Sequence, residues 1–268
     1  MIINVGNYEF TEFWDGILYK NLSDYPHVSD WEMKSMIEFI EYERSYGRTT
    51  ELISADDELA ARICKKLKKP ERYANAALPE KITECTACKQ HGCLTRLVCH
   101  TSSAEDAASI LRSKTLLSAV RVRKLPSEVL RQEPRNSAGD PKDFFDYIMF
   151  AWGNCQAGDR LVMERAMRRF PTEEELNSEF MPGVRYYFDY SRLDKHPNAV
   201  HDGVHPIKIK DELYLPDYVK AIIIPDCVKE QLAGEIPPSL RSVTHFLEYS
   251  RENIWDWSEK VYDFVMSL

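Results

Sequence analysis

A histidine and a threonine end a short apolar run near the middle of the chain. The run Leu97-Val-Cys leads into His100-Thr101, and either Ser102 or Ser103 can cap the helix that follows. An imidazole can donate a hydrogen bond to a ligand hydroxyl, and the free N–H groups at a helix start favour phosphate. The pattern predicts a strand–helix junction that suits a small polar ligand. A structural histidine satisfied within the core is the alternative.

A polar segment with two glycines follows a second apolar run. Gly153 and Gly158 bracket Asn-Cys-Gln-Ala, and Asp159 and Arg160 come directly after them. Glycine permits tight turns and close approach of the backbone to a ligand. Two interpretations stay open: a plain surface loop, or a loop that lines a pocket.

Four side chains of the zinc-binding type fall within nine residues: Cys85, Cys88, His91 and Cys93. Thiolate and imidazole groups suit tetrahedral zinc. Structural zinc sites usually take their second pair of ligands from a distant segment. Ordinary thiols are therefore favoured, with zinc and redox-active thiols as the alternatives.

A second cluster combines imidazole and carboxylate groups around two turn signals, Pro197 and Gly203. Its members are His196, His201, Asp202, His205 and Asp211. Such a set could serve a metal-dependent hydrolase with Glu212 as the general base. Turns do not hold histidines on one face as a helix does, so a loop that leads into a strand is favoured.

The composition is that of an ordinary globular chain, with 268 residues, 44% of them hydrophobic, and a mean hydropathy of −0.44. This length suffices for one large domain or two modest ones. No apolar run approaches the roughly 18–20 residues that span a bilayer, and no basic region precedes the apolar start. We therefore expect a cytoplasmic protein without membrane contact. Its seven cysteines are expected to be thiols rather than a disulfide framework.

The charge is distributed unevenly along the chain. The formal net charge is −8, which argues against broad binding to polyanions. Residues 112–135 nevertheless carry seven basic and two acidic side chains. This basic segment is either a solvated face or a contact for nucleic acid.

Apolar spacing and breakers divide the chain into three parts. Residues 1–84 are predicted to form a mainly helical accessory region, with helices from Asp30, as the cap, to Tyr46 and from Asp56 to Lys68. Residues 85–236 show strand patterns at 145–152, 184–190 and 218–225, and a short helix at 173–180. Few long helices separate the strands, which favours an α+β domain. Residues 237–268 are predicted to form a C-terminal helical segment that packs on this core.

Three segments of the middle part carry a family resemblance. They are, in order, Leu97-Val-Cys-His-Thr followed by Ile110-Leu and Leu116-Leu-Ser; Phe145-Asp-Tyr-Ile-Met-Phe-Ala-Trp ahead of Arg160-Leu-Val-Met; and Asp211-Glu-Leu-Tyr-Leu-Pro-Asp-Tyr-Val-Lys-Ala-Ile-Ile-Ile-Pro. Together they resemble the ADP-ribosyltransferase fold, and most closely its DarT-type DNA-modifying branch. The resemblance covers residues 94–228, and roughly the first 90 residues match nothing in that family.

The resemblance implies a mixed-sheet core of the ADP-ribosyltransferase type that takes NAD as its substrate. The family's NAD-binding histidine falls on His100, with Thr101 beside it and Ser118 in the same motif. The catalytic glutamate falls on Glu212. An aromatic residue is expected to stack on nicotinamide, and the candidates are Tyr147 and Phe150. Asn154 is expected to line the same pocket.

The family's chemistry breaks the bond between nicotinamide and ribose through an oxocarbenium-like state. A carboxylate stabilises the developing positive charge and can orient or deprotonate the attacking group. The resemblance leaves the arginine role open between Arg160, Arg165 and neither, because no proline-arginine pair follows the Phe145 segment. Arg160 in that role would hold a pyrophosphate.

The leading hypothesis is an NAD-dependent transferase that modifies a macromolecule, with nucleic acid indicated by the basic segment. An RNA 2′-phosphotransferase-like enzyme, which also uses NAD, resembles the His100 segment but relies on several arginines. A non-catalytic module of the same fold is the competing class, and the metal hydrolase is a third. A toxic transferase would in addition need a neutralising partner or an off switch.

Overall fold

Short strands build the first part of the chain around a four-stranded sheet. The structure, a computed structural model, describes residues 1–8, 11–14, 16–78, 81–82, 93–94, 96–132 and 143–268. The strands are β1 (Ile2–Gly6), β2 (Glu12–Trp14), β3 (Ile17–Asn21) and β4 (Glu51–Ser54), in the order β2-β3-β1-β4. β1 runs parallel to β3 and β4, and β2 runs antiparallel to β3. The expectation of a mainly helical region missed this sheet, whose pairing depends on partners far apart in sequence.

Two helices pack on this sheet where the sequence predicts them, α1 (Asp30–Ser45) and α2 (Asp57–Leu67). Ser29, rather than Asp30, caps α1, because its side chain accepts from the Glu32 N–H while Glu32 accepts from the Ser29 backbone. Asp56 caps α2 through the N–H of Leu59. The shared core of helices and sheet contains Ile3, Val5, Leu18, Met33, Met36, Phe39, Leu59 and Ile63.

The other helices and strands follow from residue 81 onward. In chain order they are β5 (Lys81–Ile82), β6 (Cys93–Leu94), β7 (Leu97–Ser102), α3 (Ala104–Ser113), β8 (Thr115–Leu117), α4 (Ala119–Arg123), α5 (Ser127–Leu130), β9 (Tyr147–Met149), β10 (Ala151–Trp152), α6 (Ala157–Met167), α7 (Glu173–Leu176), β11 (Val184–Asp189), α8 (Tyr190–Leu193), β12 (Ala199–Val200), β13 (Lys208–Lys210), β14 (Glu212–Tyr214), α9 (Leu215–Tyr218), β15 (Val219–Pro225), α10 (Lys229–Leu232), β16 (Thr244–Leu247) and α11 (Ile254–Ser267).

The strands of this second part form several separate sheets. The largest has five strands in the order β10-β7-β11-β15-β16, and a three-stranded sheet has the order β12-β13-β9. β14 pairs with β8, and β5 pairs with β6, as two-stranded ribbons. Parallel and antiparallel pairs coexist in the five-stranded sheet, since β15 runs parallel to β16 and antiparallel to β11.

The strand predicted for residues 145–152 is interrupted at Phe150. β10 pairs with β7, where Ala151 lies opposite Cys99. β9 pairs instead with β13, where Met149 lies opposite Lys208. Residues 144–146 form a 3₁₀ turn rather than strand. The β9–β10 segment therefore joins the five-stranded sheet to the three-stranded sheet.

Strand alternation sends the side chains of β7 and β11 into two different hydrophobic cores. One core contains Val98, Ile148, Phe150, Tyr186 and Phe188. The other contains Leu97, Cys99, Tyr187 and, from α11, Trp257 and Val261. The predicted C-terminal helical segment is thus confirmed at α11.

Other predicted elements are confirmed with changed bounds. The strands predicted at 184–190 and 218–225 are β11 and β15. The helix predicted at 173–180 is only α7, and Thr244–Leu247 is an edge strand rather than helix because it pairs with Ile222–Pro225. The chain is a mixed α+β protein. Among the described helices, none has the length and apolar character required to cross a membrane.

Candidate functional site

His100 lies on β7, and its ring is held by the neighbouring β9–β10 segment. Its Nδ1 is 3.0 Å from the carbonyl oxygen of Met149. A carbonyl oxygen only accepts, so Nδ1 carries the hydrogen and Nε2 is the free lone pair of the neutral ring. Burial lowers the pKa of His100, and nearby Arg165 acts in the same direction. Near pH 7 the half-buried ring is therefore neutral, with Nε2 as an acceptor.

Aromatic side chains surround the His100 ring. The centroid of Phe150 lies 6.0 Å away and that of Tyr186 lies 6.4 Å away. Tyr186 stands directly opposite His100 in the β7–β11 ladder, and it is fully buried. Sequence reasoning missed Tyr186 as a neighbour of this site, although the aromatic run of β11 could have indicated it.

Thr101 does not share a side-chain pocket with His100, because adjacent residues of a strand face opposite sides. A Cβ placed on Gly158 would lie 2.2 Å from Thr101 Oγ1, and one on Gly183 would lie 2.6 Å from Thr101 Cγ2. The Thr101 side chain therefore occupies the space between the start of α6 and the start of β11. Its hydroxyl is on the wrong face for the expected contact with NAD beside His100.

Glu212 begins β14 and is exposed, with 56% of its side chain accessible. Asp211 precedes it with a left-handed backbone (φ +65). The Asp211 N–H donates to the carbonyl of Asp146 at 3.0 Å, and its own carbonyl accepts from the Ser118 N–H at 2.8 Å. These bonds fix the turn that presents Glu212, next to Arg121, whose Nη2 is 3.4 Å from Glu212 Oε2.

Ser118 is brought next to Glu212 by this backbone bond and by the β8–β14 ladder. Leu117 lies opposite Glu212 in that ladder. The Ser118 side chain is 1% exposed, and its Oγ has no hydrogen-bond partner within the described part of the chain. Ser118 and Glu212 are thus neighbours, but the serine hydroxyl is buried.

The β9–β10 segment and the turn before it connect the surroundings of His100 with those of Glu212. The Met149 carbonyl bonds to the His100 ring, whereas the carbonyl of Asp146, three positions earlier, accepts from the Asp211 N–H. The imidazole and the carboxylate are therefore linked through the same short segment, with the imidazole beside the end of β9 and the carboxylate beside the 3₁₀ turn that precedes it.

The other residues predicted to contact NAD are all buried. The phenol of Tyr147 bonds to the phenol of Tyr46, and Lys208 Nζ lies 4.3 Å from the Tyr147 ring centroid. Phe150 is 1% exposed and belongs to the core, so it has no free face for stacking. Asn154 is buried, and its backbone carbonyl accepts from Ser258 near α11.

Arg160 points outward from α6. Its Nε lies 3.1 Å from Glu164 Oε1, one helical turn away, and 45% of the side chain is exposed. Arg165, by contrast, is close enough to His100 to lower the pKa of that ring. Of the two arginines left open by the sequence, Arg165 is the one whose charge contributes to the lowered pKa of His100.

The three histidines of the second cluster face different partners. His201 Nε2 lies 2.8 Å from Asp194, and His205 Nδ1 lies 2.9 Å from Asp202. His196 accepts a hydrogen bond from the Asn198 N–H. Within the described ranges, no group of three or more potential ligands could hold a metal ion. Cys85, Cys88 and His91, and the side chain of Cys93, lie outside the described residues.

A buried charge cluster between the two parts of the chain was not predicted as a unit. Lys208 Nζ lies 3.1 Å from Asp202 and 3.8 Å from the ring centroid of Tyr42. Burial alone would raise the pKa of Asp202, but His205 and Lys208 hold it below its usual range. A cavity of about 150 Å³ adjoins these groups, with Phe39 on its wall.

Arg48 extends this cluster toward α1. It forms two bonds to Glu43, at 2.7 and 2.8 Å, and a third to Asp143 at 3.1 Å. The Tyr42 hydroxyl also donates to Asp143. These contacts join α1 to the segment that enters β9.

Comparisons of the chain with protein-family models, with curated proteins and with solved structures find no match.

Proposed function

We propose that the chain is an NAD-dependent ADP-ribosyltransferase of the DarT type that modifies a nucleic acid. The observation that carries the proposal is that one segment, β9–β10, pairs both with the strand of His100 and with the strand that precedes Glu212. β10 pairs with the His100 strand, and β9 pairs with β13, which leads into Glu212. A neutral imidazole, bonded to the Met149 carbonyl, and an exposed carboxylate, next to the residue bonded to the Asp146 carbonyl, are thereby connected through one short segment.

In the proposed reaction the protein binds the reactants and supplies a negative charge. The bond between C1′ of the ribose and the nicotinamide nitrogen breaks, and nicotinamide leaves with the electron pair. An oxygen or nitrogen of the acceptor forms the new bond to C1′ and releases its proton to the Glu212 carboxylate or to water. Glu212 also stabilises the positive charge that develops on the ribose.

His100 fits the task of holding the ribose. Its Nε2 takes part in none of the described hydrogen bonds, and the neutral ring accepts from a ribose hydroxyl. Arg165, close to His100, is the candidate for the negative charge of the dinucleotide. Arg160 pairs with Glu164 on the exposed side of α6.

The surface around Glu212 indicates the chemical class of the acceptor. Arg121 pairs with Glu212, and Arg123 and Lys124, which follow it along the chain, are also exposed, with Val122 56% exposed among them. Cationic side chains with exposed apolar groups suit a polynucleotide that brings a base to the carboxylate.

Nicotinamide release tests the proposal. Purified protein would be incubated with NAD and single-stranded DNA, RNA or no acceptor, and Glu212→Gln would be compared with Glu230→Gln, an exposed glutamate of α10. We expect release that depends on one acceptor and falls at least about 100-fold in Glu212→Gln only. Calorimetry with NAD would show weaker binding to His100→Ala. No release and no NAD binding by the wild-type chain would refute the proposal.

A non-catalytic module of the same fold is the second candidate. The observation in its favour is that Tyr147 bonds to Tyr46 and Phe150 is buried in the core, so neither ring is exposed for stacking on nicotinamide. Glu212 is moreover already paired with Arg121. In that case Glu212→Gln would leave every binding property of the protein unchanged.

A further inference from the structure

The end of α2 carries a dense positive charge in an acidic protein. Residues 62–72 contain six basic side chains and one acidic one, whereas the whole chain has a net charge of −8. The basic residues, here termed the α2 basic surface, are Arg62, Lys65, Lys66, Lys68, Lys69 and Arg72. All are exposed except Lys66, which is half-buried. None of them takes part in an ion pair between described residues.

A groove beside this surface has two of these cations on its wall. Arg62 and Lys66 lie one turn apart on the same face of α2. Pro26, His27, Val28 and Ile63 complete the lining of a space of about 180 Å³. That is the volume of about six water molecules, which admits a phosphate group.

Backbone carbonyls hold the two cations in place. Arg62 Nη2 donates to the Pro26 carbonyl at 3.1 Å, and Lys66 Nζ donates to the Val28 carbonyl at 3.0 Å. Each bond uses one donor, so the guanidinium and the ammonium keep further N–H groups for an anion. The arrangement positions two cations without neutralising either of them.

We infer that the α2 basic surface binds the phosphate backbone of a nucleic acid, with one phosphate in the groove between Arg62 and Lys66. Basic side chains along one face provide the sequence-independent contacts by which proteins hold polynucleotides. Outside this surface and the basic segment at residues 112–135, the molecule is acidic and repels a polyanion. The inference concerns binding alone and does not depend on transferase activity.

An anionic membrane is the other polyanionic partner to consider, and the apolar residues argue against it. Helices that lie in a membrane interface expose Trp, Phe or Leu toward the lipid. Leu59 and Ile63 of α2 are instead completely buried against the sheet of β1–β4.

Fluorescence anisotropy of labelled 20-nucleotide DNA and RNA, measured with the full chain over a range of salt, tests the inference. The wild type is expected to bind more weakly as salt rises. Arg62→Ala/Lys66→Ala is expected to bind about tenfold more weakly at 0.1 M salt and to lower the salt slope by about two. Lys65→Ala/Lys69→Ala, which changes only exposed side chains, is expected to act in the same direction. Lys195→Ala/Lys229→Ala removes the same charge elsewhere and should bind like the wild type.

Four results would overturn the inference. The wild type could fail to bind oligonucleotides, or both α2 variants could bind as tightly as the wild type. Loss of binding only in Arg121→Ala/Arg123→Ala would place the contact beside Glu212 instead. Binding to phosphatidylserine vesicles without binding to oligonucleotides would make the partner a membrane. Thermal melting of each variant would show that the fold is retained.

Discussion

Asp159 and Arg185 form an ion pair that is sealed from solvent, with 0% and 1% of the two side chains exposed. Both Nε and Nη2 of Arg185 donate to Asp159 Oδ2, and the other carboxylate oxygen accepts from the Gly183 N–H at 3.0 Å. Arg185 also donates to Ser258 of α11 at 2.8 Å. The pair thus fastens α6 and α11 to β11, the strand beside His100.

Removal of one member of this pair is expected to be costly. Asp159→Asn leaves the guanidinium of Arg185 without a counter-charge, and we expect a loss of about 3–5 kcal/mol in the free energy of unfolding. Arg185→Met should cost a similar amount. The double variant Asp159→Asn/Arg185→Met should cost less than the sum, because neither charge is left alone. Urea denaturation measures all three, and additive costs would contradict this account.

Lys20 makes the free energy of unfolding depend on pH in the alkaline range. The side chain is 3% exposed, and burial lowers its pKa from 10.5 to about 8. The unfolded chain therefore keeps the Lys20 proton up to a higher pH than the folded chain does, so stability rises as pH increases from about 8 to 10.5. Below pH 8 burial of the charged Lys20 side chain lowers the free energy of unfolding by its full amount, about 3 kcal/mol.

Lys20→Met is expected to remove this cost. The variant loses the hydrogen bond from Nζ to Ser35 and the contact with the Trp31 ring, so we expect a gain of about 1–3 kcal/mol at pH 7. The gain should shrink by pH 9.5. Lys195→Met, which changes an exposed lysine, serves as the control in urea denaturation at both pH values. An equal gain at both values would show that burial of the charge is not the cause.

Local signals account for the elements that the sequence predicted correctly. Ser103 caps α3 through the Asp106 N–H, as one of the two predicted serines, and Asp56 caps α2. Caps and apolar spacing are written within a few residues, so they can be recognised without the fold. The continuous apolar run of β15 likewise identifies a buried strand.

The arrangement of the candidate site depended on facts that no local pattern carries. The interruption at Phe150 turns Tyr147 toward Tyr46 of the first part of the chain, 101 residues away in sequence. The contact between Arg48 and Asp143 joins residues 95 positions apart. Such pairs exist only after tertiary packing, so no local pattern could show that Tyr147 bonds to Tyr46 or that Phe150 is buried in the core.

Gly158 is expected to tolerate no side chain, although it lies in a helix. Alanine usually stabilises a helix relative to glycine. Here a Cβ would lie 2.2 Å from Thr101 Oγ1, so Gly158→Ala must push α6 away from β7. We expect a loss of about 1–3 kcal/mol.

Gly234 provides the matched control for this substitution. A Cβ placed on Gly234 meets nothing within 4 Å, so Gly234→Ala should change the free energy of unfolding by less than about 0.5 kcal/mol. Equal stabilities of the two variants in urea would show that α6 does not rest on Thr101.

Arg121 is expected to govern the acceptor rather than the donor of the proposed transfer. Its pair with Glu212 is more than half exposed on both sides, so Arg121→Ala should leave the stability nearly unchanged. When a nucleic acid binds, a phosphate can replace Glu212 as the partner of the guanidinium and leave the carboxylate free. Arg121→Ala should therefore raise the KM for the acceptor about tenfold, from loss of one phosphate contact. The affinity for NAD, measured by calorimetry, should be unchanged.

Arg112→Ala is the control for Arg121→Ala, since it removes a positive charge from the same basic segment. Arg112 pairs with Glu235, 3.0 Å away, rather than with Glu212. If the acceptor is recognised beside Glu212, the KM should change in Arg121→Ala and not in Arg112→Ala. Equal increases in both variants would mean that the segment attracts the acceptor only through its overall charge, because long-range attraction does not distinguish the two positions.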